Sequence, residues 1–282
     1  MRIFLAGGTG VLGTRLIPEL TAAGHQITAT TRRADRASLL TRLGAAPAIV
    51  DVYDAVLLTS VVADAAPDLI LHELTDLSEY DTDANARLRR EGTANLAAAA
   101  RAAGTSRIVM QSIAWIFPDA DTPATEDDPI IPGTAVDTME SLARQLPHST
   151  ILRYGMLYGP GTWYAPGGRI ASQVDAGQLP ATPAITCFLH IDDAVTATVE
   201  ALHWPDGTYH IVDDEPAPGT SWLPVYAGEL GAPPPPTAPL AGGAPAGRAI
   251  SNAKARAQGW TPKYPSWREG FGASLHPSPG NP

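Results

Sequence analysis

Apolar positions change period several times along this 282-residue chain, and each change marks an element. Arg2 to Ala6 is a short apolar run broken by Gly7. From Val11 to Leu20 apolar residues recur at the spacing of one helix face, so the chain is expected to open as strand, glycine turn and helix. After Gly24 the β-branched segment Ile27 to Thr31 predicts a second strand, which runs into Arg32 and Arg33. The alternation continues with a strand at Ala48 to Val50, a helix at Ala55 to Ala65 and a strand at Leu69 to His72. An alanine-rich helix follows from Ala84 to Ala103, closed by Gly104, then a strand at Arg107 to Ser112, a helix at Thr134 to Leu146 and a strand at Ser149 to Tyr154. Strands alternating with helices in this way predict an α/β fold of Rossmann type, a doubly wound parallel sheet.

Beyond Tyr158 the alternation loosens and Pro, Gly and Trp become frequent. The expected organisation is a dinucleotide-binding domain over residues 1–158, with a returning segment near 186–203, and a smaller C-terminal substrate lobe over 159–282. Within that lobe Ala194 to Leu202 reads as a helix capped by Asp192 or Asp193, and Trp222 to Leu230 as another. Six prolines between Gly231 and Gly247 predict an extended surface loop.

Composition narrows the function classes. With 44% hydrophobic residues the chain can bury a large core, and no apolar run reaches the roughly 18 residues of a membrane span. A net charge of −10 gives no electrostatic footprint for nucleic acid or anionic lipid. The expected partner is a small-molecule substrate, with neither nucleic acid nor membrane. The single cysteine, Cys187, cannot form an intramolecular disulfide, and the first residues form a strand pattern instead of a signal-peptide stretch, so the cytoplasm is the expected address. The seven histidines show no pairing with Cys, Asp or Glu at ligand spacing, so no metal is expected. Only two lysines are present, Lys254 and Lys263, so any catalytic lysine must be one of them.

The candidate chemistry begins at Gly7-Gly8-Thr9-Gly10-Val11-Leu12-Gly13, placed after a strand and at the opening of a helix. Glycines at Gly7, Gly10 and Gly13 permit a tight turn and let backbone N–H groups approach a pyrophosphate. The start of the helix, at Val11 and Leu12, offers partial positive charge. An acidic residue at the end of the second strand would hold the adenosine ribose of NAD. Arg32 and Arg33 stand there instead and suit a 2′-phosphate, so NADP is expected over NAD. Asp51 suits the adenine amine or the cap of the next helix.

These residues carry a resemblance. The glycine turn, Asp51, the Pro67 to His72 strand, Gly92-Thr93-Ala94-Asn95-Leu96, Arg107 to Ser112, Leu152-Arg153-Tyr154-Gly155, Tyr158-Gly159-Pro160-Gly161 and His190-Ile191-Asp192-Asp193 occur in the order of the extended short-chain dehydrogenase/reductases. The chain resembles their NAD-dependent epimerase/dehydratase group. The resemblance implies a catalytic Ser, a Tyr-x-x-x-Lys and a helix Asn, with Leu74 and Thr75 lining the ribose side of the cofactor and a homodimer formed through sheet-flanking helices. Four residues before Lys254 and Lys263 stand Ile250 and Gly259, so there is no Tyr-x-x-x-Lys in this chain. Aligning Glu140 with the family's helix glutamate puts Pro132 and Val136 at the Tyr and Lys positions and Arg89 at the Asn. A serine survives as Ser112, while its neighbour has become Ile113.

The expected activity is therefore an NADP-dependent oxidoreductase or epimerase with a non-standard site, acting on a small hydroxyl- or carbonyl-bearing substrate such as a sugar nucleotide or secondary metabolite. Hydride transfer to a carbonyl needs a donor for the developing alkoxide. Ser112, Tyr154, Tyr158 and Tyr164 are the candidates, with Arg89 suited to a substrate carboxylate or phosphate. Two other readings stay open at this point: a dinucleotide-binding sensor or scaffold without turnover, and a non-redox isomerase or cyclase.

Overall fold

The computed structural model describes residues 1–77 and 81–276. Its first half runs β1 (Arg2–Ala6), α1 (Gly13–Ala22), β2 (Gln26–Thr31), α2 (Ala37–Leu43), β3 (Ala46–Ile49), α3 (Ala55–Ala65), β4 (Leu69–His72), α4 (Thr82–Arg87), α5 (Thr93–Ala102), β5 (Arg107–Ile113), α6 (Ala135–Ala143) and β6 (His148–Tyr154). The second half adds β7 (Met156–Tyr158), α7 (Arg169–Asp175), β8 (Ile185–Thr186), β9 (Phe188–His190), α8 (Ile191–Ala201), β10 (Gly207–Ile211), β11 (Ala217–Pro218), α9 (Gly219–Leu230), α10 (Ala253–Ala257) and α11 (Trp267–Leu275).

Seven strands form one sheet in the order β10-β6-β5-β4-β1-β2-β3. The pairs β1/β2, β1/β4, β2/β3 and β4/β5 are parallel, as the strand–helix alternation requires. The chain steps outward from β1 to β2 and β3, then returns to place β4 on the other side of β1, so the order reverses between β1 and β4. In doubly wound sheets ligands bind at the carboxyl ends of the strands beside such a reversal. Ile3, Phe4 and Leu5 of β1 and Leu69 to Leu71 of β4 are buried almost completely. Leu16, Ile17 and Leu20, one face of α1, are buried with them.

The chain divides into two compact units, one of residues 1–112, 131–152 and 198–208, the other of 113–130, 153–197 and 209–282. The second unit has an aromatic core of Tyr158, Tyr164, Phe188, Trp222, Tyr226, Trp267 and Phe271. The proline-rich stretch at 231–247 holds neither helix nor strand and makes one bridge, between Thr237 and Ala181. Among the described residues no helix is long and apolar enough to cross a membrane.

Two elements differ from the sequence expectation. The single helix expected over Ala84 to Ala103 is interrupted by a π-helical turn at Leu88–Gly92. Gly92 is drawn close there: an added Cβ would stand 2.9 Å from Leu88 Cδ1 and 3.0 Å from Val52 Cγ1. Helix α8 begins at Ile191, which places Asp192 and Asp193 inside its first turn rather than at its cap. The Asp193 carboxylate instead accepts the backbone N–H groups of Lys263 and Tyr264, at 2.6 and 3.0 Å.

Candidate active site

At the carboxyl ends of β1, β2, β3 and β4 lies a cavity of about 320 Å³. It brings together Gly7, Gly10, Arg32, Arg33, Leu74 and Thr75 from the expected cofactor set. The geometry of the turn explains its glycines. Gly7 has φ +101°, a left-handed conformation open to glycine, and an added Cβ would lie 2.7 Å from the carbonyl oxygen of Glu73. Gly13 starts α1 so close to the turn that a Cβ would lie 2.3 Å from Gly7 O. The Gly7 N–H donates to Thr30 Oγ1 at 3.0 Å, which ties the turn to β2. Helix α1 has no side-chain cap and no acidic residue in its first turn. Val11, Leu12 and Gly13 build that helix start and do not line the cavity.

The loop after β4 forms the opposite wall and is fixed by three neighbours. His72 is buried, its Nδ1 accepting the Leu74 N–H and its Nε2 standing 2.9 Å from Thr93 Oγ1. Burial lowers its pKa to about 4, so the ring is neutral near pH 7. Gln111 Nε2 donates to Leu74 O at 2.9 Å, and Asn85 Oδ1 accepts the Asp76 N–H at 3.0 Å. Buried Glu73 also lines the cavity.

The charged end of the cavity holds Arg32, Arg33 and Arg36 and, at the close of β2, Thr30 and Thr31. Arg33 is held by Asp35 at 2.6 Å, whereas Arg32 meets Asp76 at a loose 3.7 Å. Among the described residues nothing is hydrogen-bonded to or ion-paired with the Arg36 guanidinium, while its backbone N–H donates to Arg33 O at 3.0 Å. The sequence reading missed Arg36, which sits on a 3₁₀ turn (Ala34–Arg36) where an exposed charge looks like ordinary solvated surface. Val50, Val52, Leu58 and Leu88 give the cavity an apolar side, with Tyr53 beneath the Arg87 guanidinium at 4.1 Å. Asp51 is not in the lining: its Oδ1 accepts the Tyr53 N–H at 2.9 Å and bends the turn, and the helix cap is Asp54, accepting from Leu57 N.

The expected donors fall elsewhere. Ser112 is buried, and its hydroxyl donates to Glu140 Oε1 at 2.7 Å. Glu140, fully buried on α6, also takes the Arg144 guanidinium on Oε2 at 2.8 Å. The hydroxyl hydrogen expected to reach a substrate oxygen is thus committed to a carboxylate. Strand alternation turns Gln111 and Ile113 to the face of β5 opposite Ser112. Val136 is buried on α6 and Pro132 precedes that helix.

Tyr158 and Tyr164 are reassigned from hydroxyl donors to packing residues. The Tyr158 ring is fully buried against Phe188 and Phe271, and Gly270 makes room for it: a Cβ there would overlap the Tyr158 hydroxyl. That hydroxyl has no hydrogen-bond partner among the described residues, and burial pushes its pKa far above the usual tyrosine range. Tyr164 packs edge-on against Phe188, Trp222 and Tyr226. Tyr154 is buried at the end of β6. Arg89 lies half-buried in the π-helical turn. Trp115, just past β5, is 51% exposed and was not singled out from the sequence. Among the described residues there is no group of three His, Cys, Asp or Glu placed to hold a metal.

Comparisons with known proteins bear on the family and the fold. A model of the NAD dependent epimerase/dehydratase family matches residues 3–212. A 3-diazoavenalumate denitrifying reductase from a Streptomyces species is 42% identical, over 96% of this chain and 99% of its own. Among solved structures, the Bordetella bronchiseptica enzyme WbmG in complex with NAD and UDP superposes with a TM-score of 0.81 at 23% identity, covering 97% of this chain and 93% of that one. A Thermus thermophilus UDP-glucose 4-epimerase in complex with NAD gives 0.81 at 21% identity, covering 97% of each chain.

Proposed function

Because the chain belongs to the NAD-dependent epimerase/dehydratase family, we propose that it is a reductase that replaces the dinitrogen of a diazo-bearing substrate with hydrogen, using NADP. The observation that carries this reading is a cavity with a glycine turn and arginines suited to a dinucleotide, in a chain that has no Tyr-x-x-x-Lys. In the register set by Glu140, Pro132 and Val136 fall at the family's tyrosine and lysine positions and Ile113 at the second serine, and the Ser112 hydroxyl donates to Glu140. Oxidising a hydroxyl, or forming one from a carbonyl, requires a group that takes or gives a proton at oxygen. Epimerisation of a sugar hydroxyl and ordinary carbonyl reduction are therefore both poorly served here. Reductive loss of dinitrogen from a substrate that carries the group as a diazonium cation makes no such demand: R–N₂⁺ and a hydride give R–H and neutral N₂, with atoms and charge balanced and no oxyanion developed. The 42%-identical relative, named for a denitrifying reduction of 3-diazoavenalumate, supports the same chemistry.

The chain's residues have separable tasks in this reading. The Gly7 to Gly13 turn and the uncapped start of α1 hold the pyrophosphate. Val50, Val52, Leu58 and Leu88 enclose the adenine. Arg36 and Arg32 hold the 2′-phosphate that distinguishes NADP, with Arg33 engaged by Asp35 and contributing less. Leu74 and Thr75, fixed through His72 and Gln111, line the ribose on the nicotinamide side. When bound, the reduced nicotinamide supplies the hydride. An anaerobic assay of the purified protein with NADPH and 3-diazoavenalumate tests the reading: NADPH oxidation and N₂ release should appear one to one, and release of no N₂ above the enzyme-free rate contradicts it.

A further inference from the structure

Asp76 places a carboxylate in the wall of a cavity whose arginines suit an anion. Those arginines are held to different degrees. Arg33 is bound at 2.6 Å by Asp35, two residues on in its own loop, and the Arg36 guanidinium has no partner among the described residues. Arg32 meets the Asp76 carboxylate at 3.7 Å, and this partner comes from the loop after a different strand, β4. Because the sheet order runs β4-β1-β2, the pair links the two loops that flank the glycine turn after β1.

The two members of the pair are enclosed unequally. The Asp76 N–H donates to the side chain of buried Asn85 at 3.0 Å, and Gln111 ties the same loop through Leu74 O. The Arg32 side chain is 56% exposed against 21% for Asp76, so the arginine is the longer and less enclosed arm. Burial raises the Tyr53 pKa, Arg87 lowers it and the Asp76 charge raises it again, which places that charge beside the apolar side of the cavity. At 3.7 Å the pair is outside hydrogen-bond range, so Arg32 can leave it at small cost. A carboxylate only accepts hydrogen bonds and offers none to a phosphate. Its effect on a bound anion therefore runs through the arginine it holds.

We propose that Asp76 is a specificity-determining residue, which competes with the 2′-phosphate of NADP for Arg32. In the cofactor reading on which this rests, Arg36 and Arg32 receive that phosphate. With NADP, Arg32 turns from Asp76 to the phosphate, where a charge-assisted bond is stronger than the loose pair it replaces. With NAD the ribose presents a hydroxyl there, and the pair stays as it is. Asp76 thereby lowers the affinity for NADP without lowering that for NAD, and narrows the preference that the arginines set.

Titration of NAD and NADP against the wild type, Asp76→Asn, Arg32→Ala and the double variant tests this without any turnover. Asp76→Asn should bind NADP about fivefold more tightly than the wild type, the range of a partly exposed ion pair, and NAD within about twofold of it. In the Arg32→Ala background the same change should move NADP affinity by less than about twofold, because the arginine competed for is gone. NAD binding also shows that each variant keeps its cavity. Unchanged or weaker NADP binding in Asp76→Asn, loss of NAD binding there, a gain shared equally by NAD, or a gain that persists in Arg32→Ala overturns the proposal and leaves the NADP assignment standing. A wild type that binds NAD as tightly as NADP overturns the NADP assignment and the proposal with it, whereas absence of N₂ release overturns only the reductase reading.

Discussion

The hydroxyl of Ser112 donates its hydrogen to Oε1 of Glu140 at 2.7 Å, and the carboxylate is shared with Arg144 on the same helix. This bond ties β5 to α6 and removes the serine as a donor to substrate. Ser112→Ala is expected to cost about 1–3 kcal/mol of stability, because it leaves part of a buried carboxylate unsatisfied, while kcat stays within a few-fold of wild type. Melting curves and steady-state rates measured on the same preparation decide this. A rate loss of a hundredfold with an unchanged melting temperature would restore the serine to the chemistry.

Cofactor choice is expected to follow the pairing of the three cavity arginines. Arg36→Ala should weaken NADP binding about tenfold or more and leave NAD nearly unaffected, since a charge-assisted contact to phosphate contributes about 1.5–3 kcal/mol. Arg32→Ala should do the same once its loose pairing with Asp76 is discounted, and Arg33→Ala should change little. Titration of both dinucleotides against each variant checks the order. Equal affinity of the wild type for NAD and NADP contradicts the assignment.

The glycine turn gives a sharper prediction. Gly7→Ala puts a side chain on a residue at φ +101° and 2.7 Å from Glu73 O, so either the turn or the loop after β4 must shift. Dinucleotide binding should fall below detection, with the sheet retained by circular dichroism. Retained binding would show that the turn is not the phosphate cradle.

Much of this site was legible from the sequence, and the reason is local. A pyrophosphate cradle needs glycines at set spacing between a strand and a helix, and β1, the turn and α1 are contiguous in the chain. What the sequence could not disclose was which polar groups the fold had already used. Arg33 is taken by Asp35 two residues on, and Ser112 by Glu140 on a different element, so neither assignment follows from residue type. Tyr158 and Tyr164 read as crevice aromatics in a glycine-rich loop, yet α9 and α11 close over them, with Gly270 leaving the space that the Tyr158 ring fills. The π-helical turn that holds Arg89 has the composition of ordinary helix.

Stability should respond to pH through His72. Its pKa falls from the ordinary 6.5 to about 4 on burial, so between those values the unfolded chain binds more protons than the native one. Stability from this residue is complete above pH 6.5, declines as pH falls and is fully lost below about 4, a change of about 3 kcal/mol. Urea unfolding of wild type and His72→Asn between pH 7.5 and 4 should show the steeper decline in the wild type. Parallel curves would contradict it.

The central claim, that hydride reaches carbon as dinitrogen leaves and no protein acid takes part, is tested most directly by one labelling measurement. Turnover of 3-diazoavenalumate in D₂O with unlabelled NADPH should give a product carrying protium at the carbon that lost nitrogen, and NADPH deuterated at the transferred position should place deuterium there in H₂O. Deuterium entering that carbon from D₂O would mean that a proton, not the cofactor's hydride, fills the position, and would contradict the account.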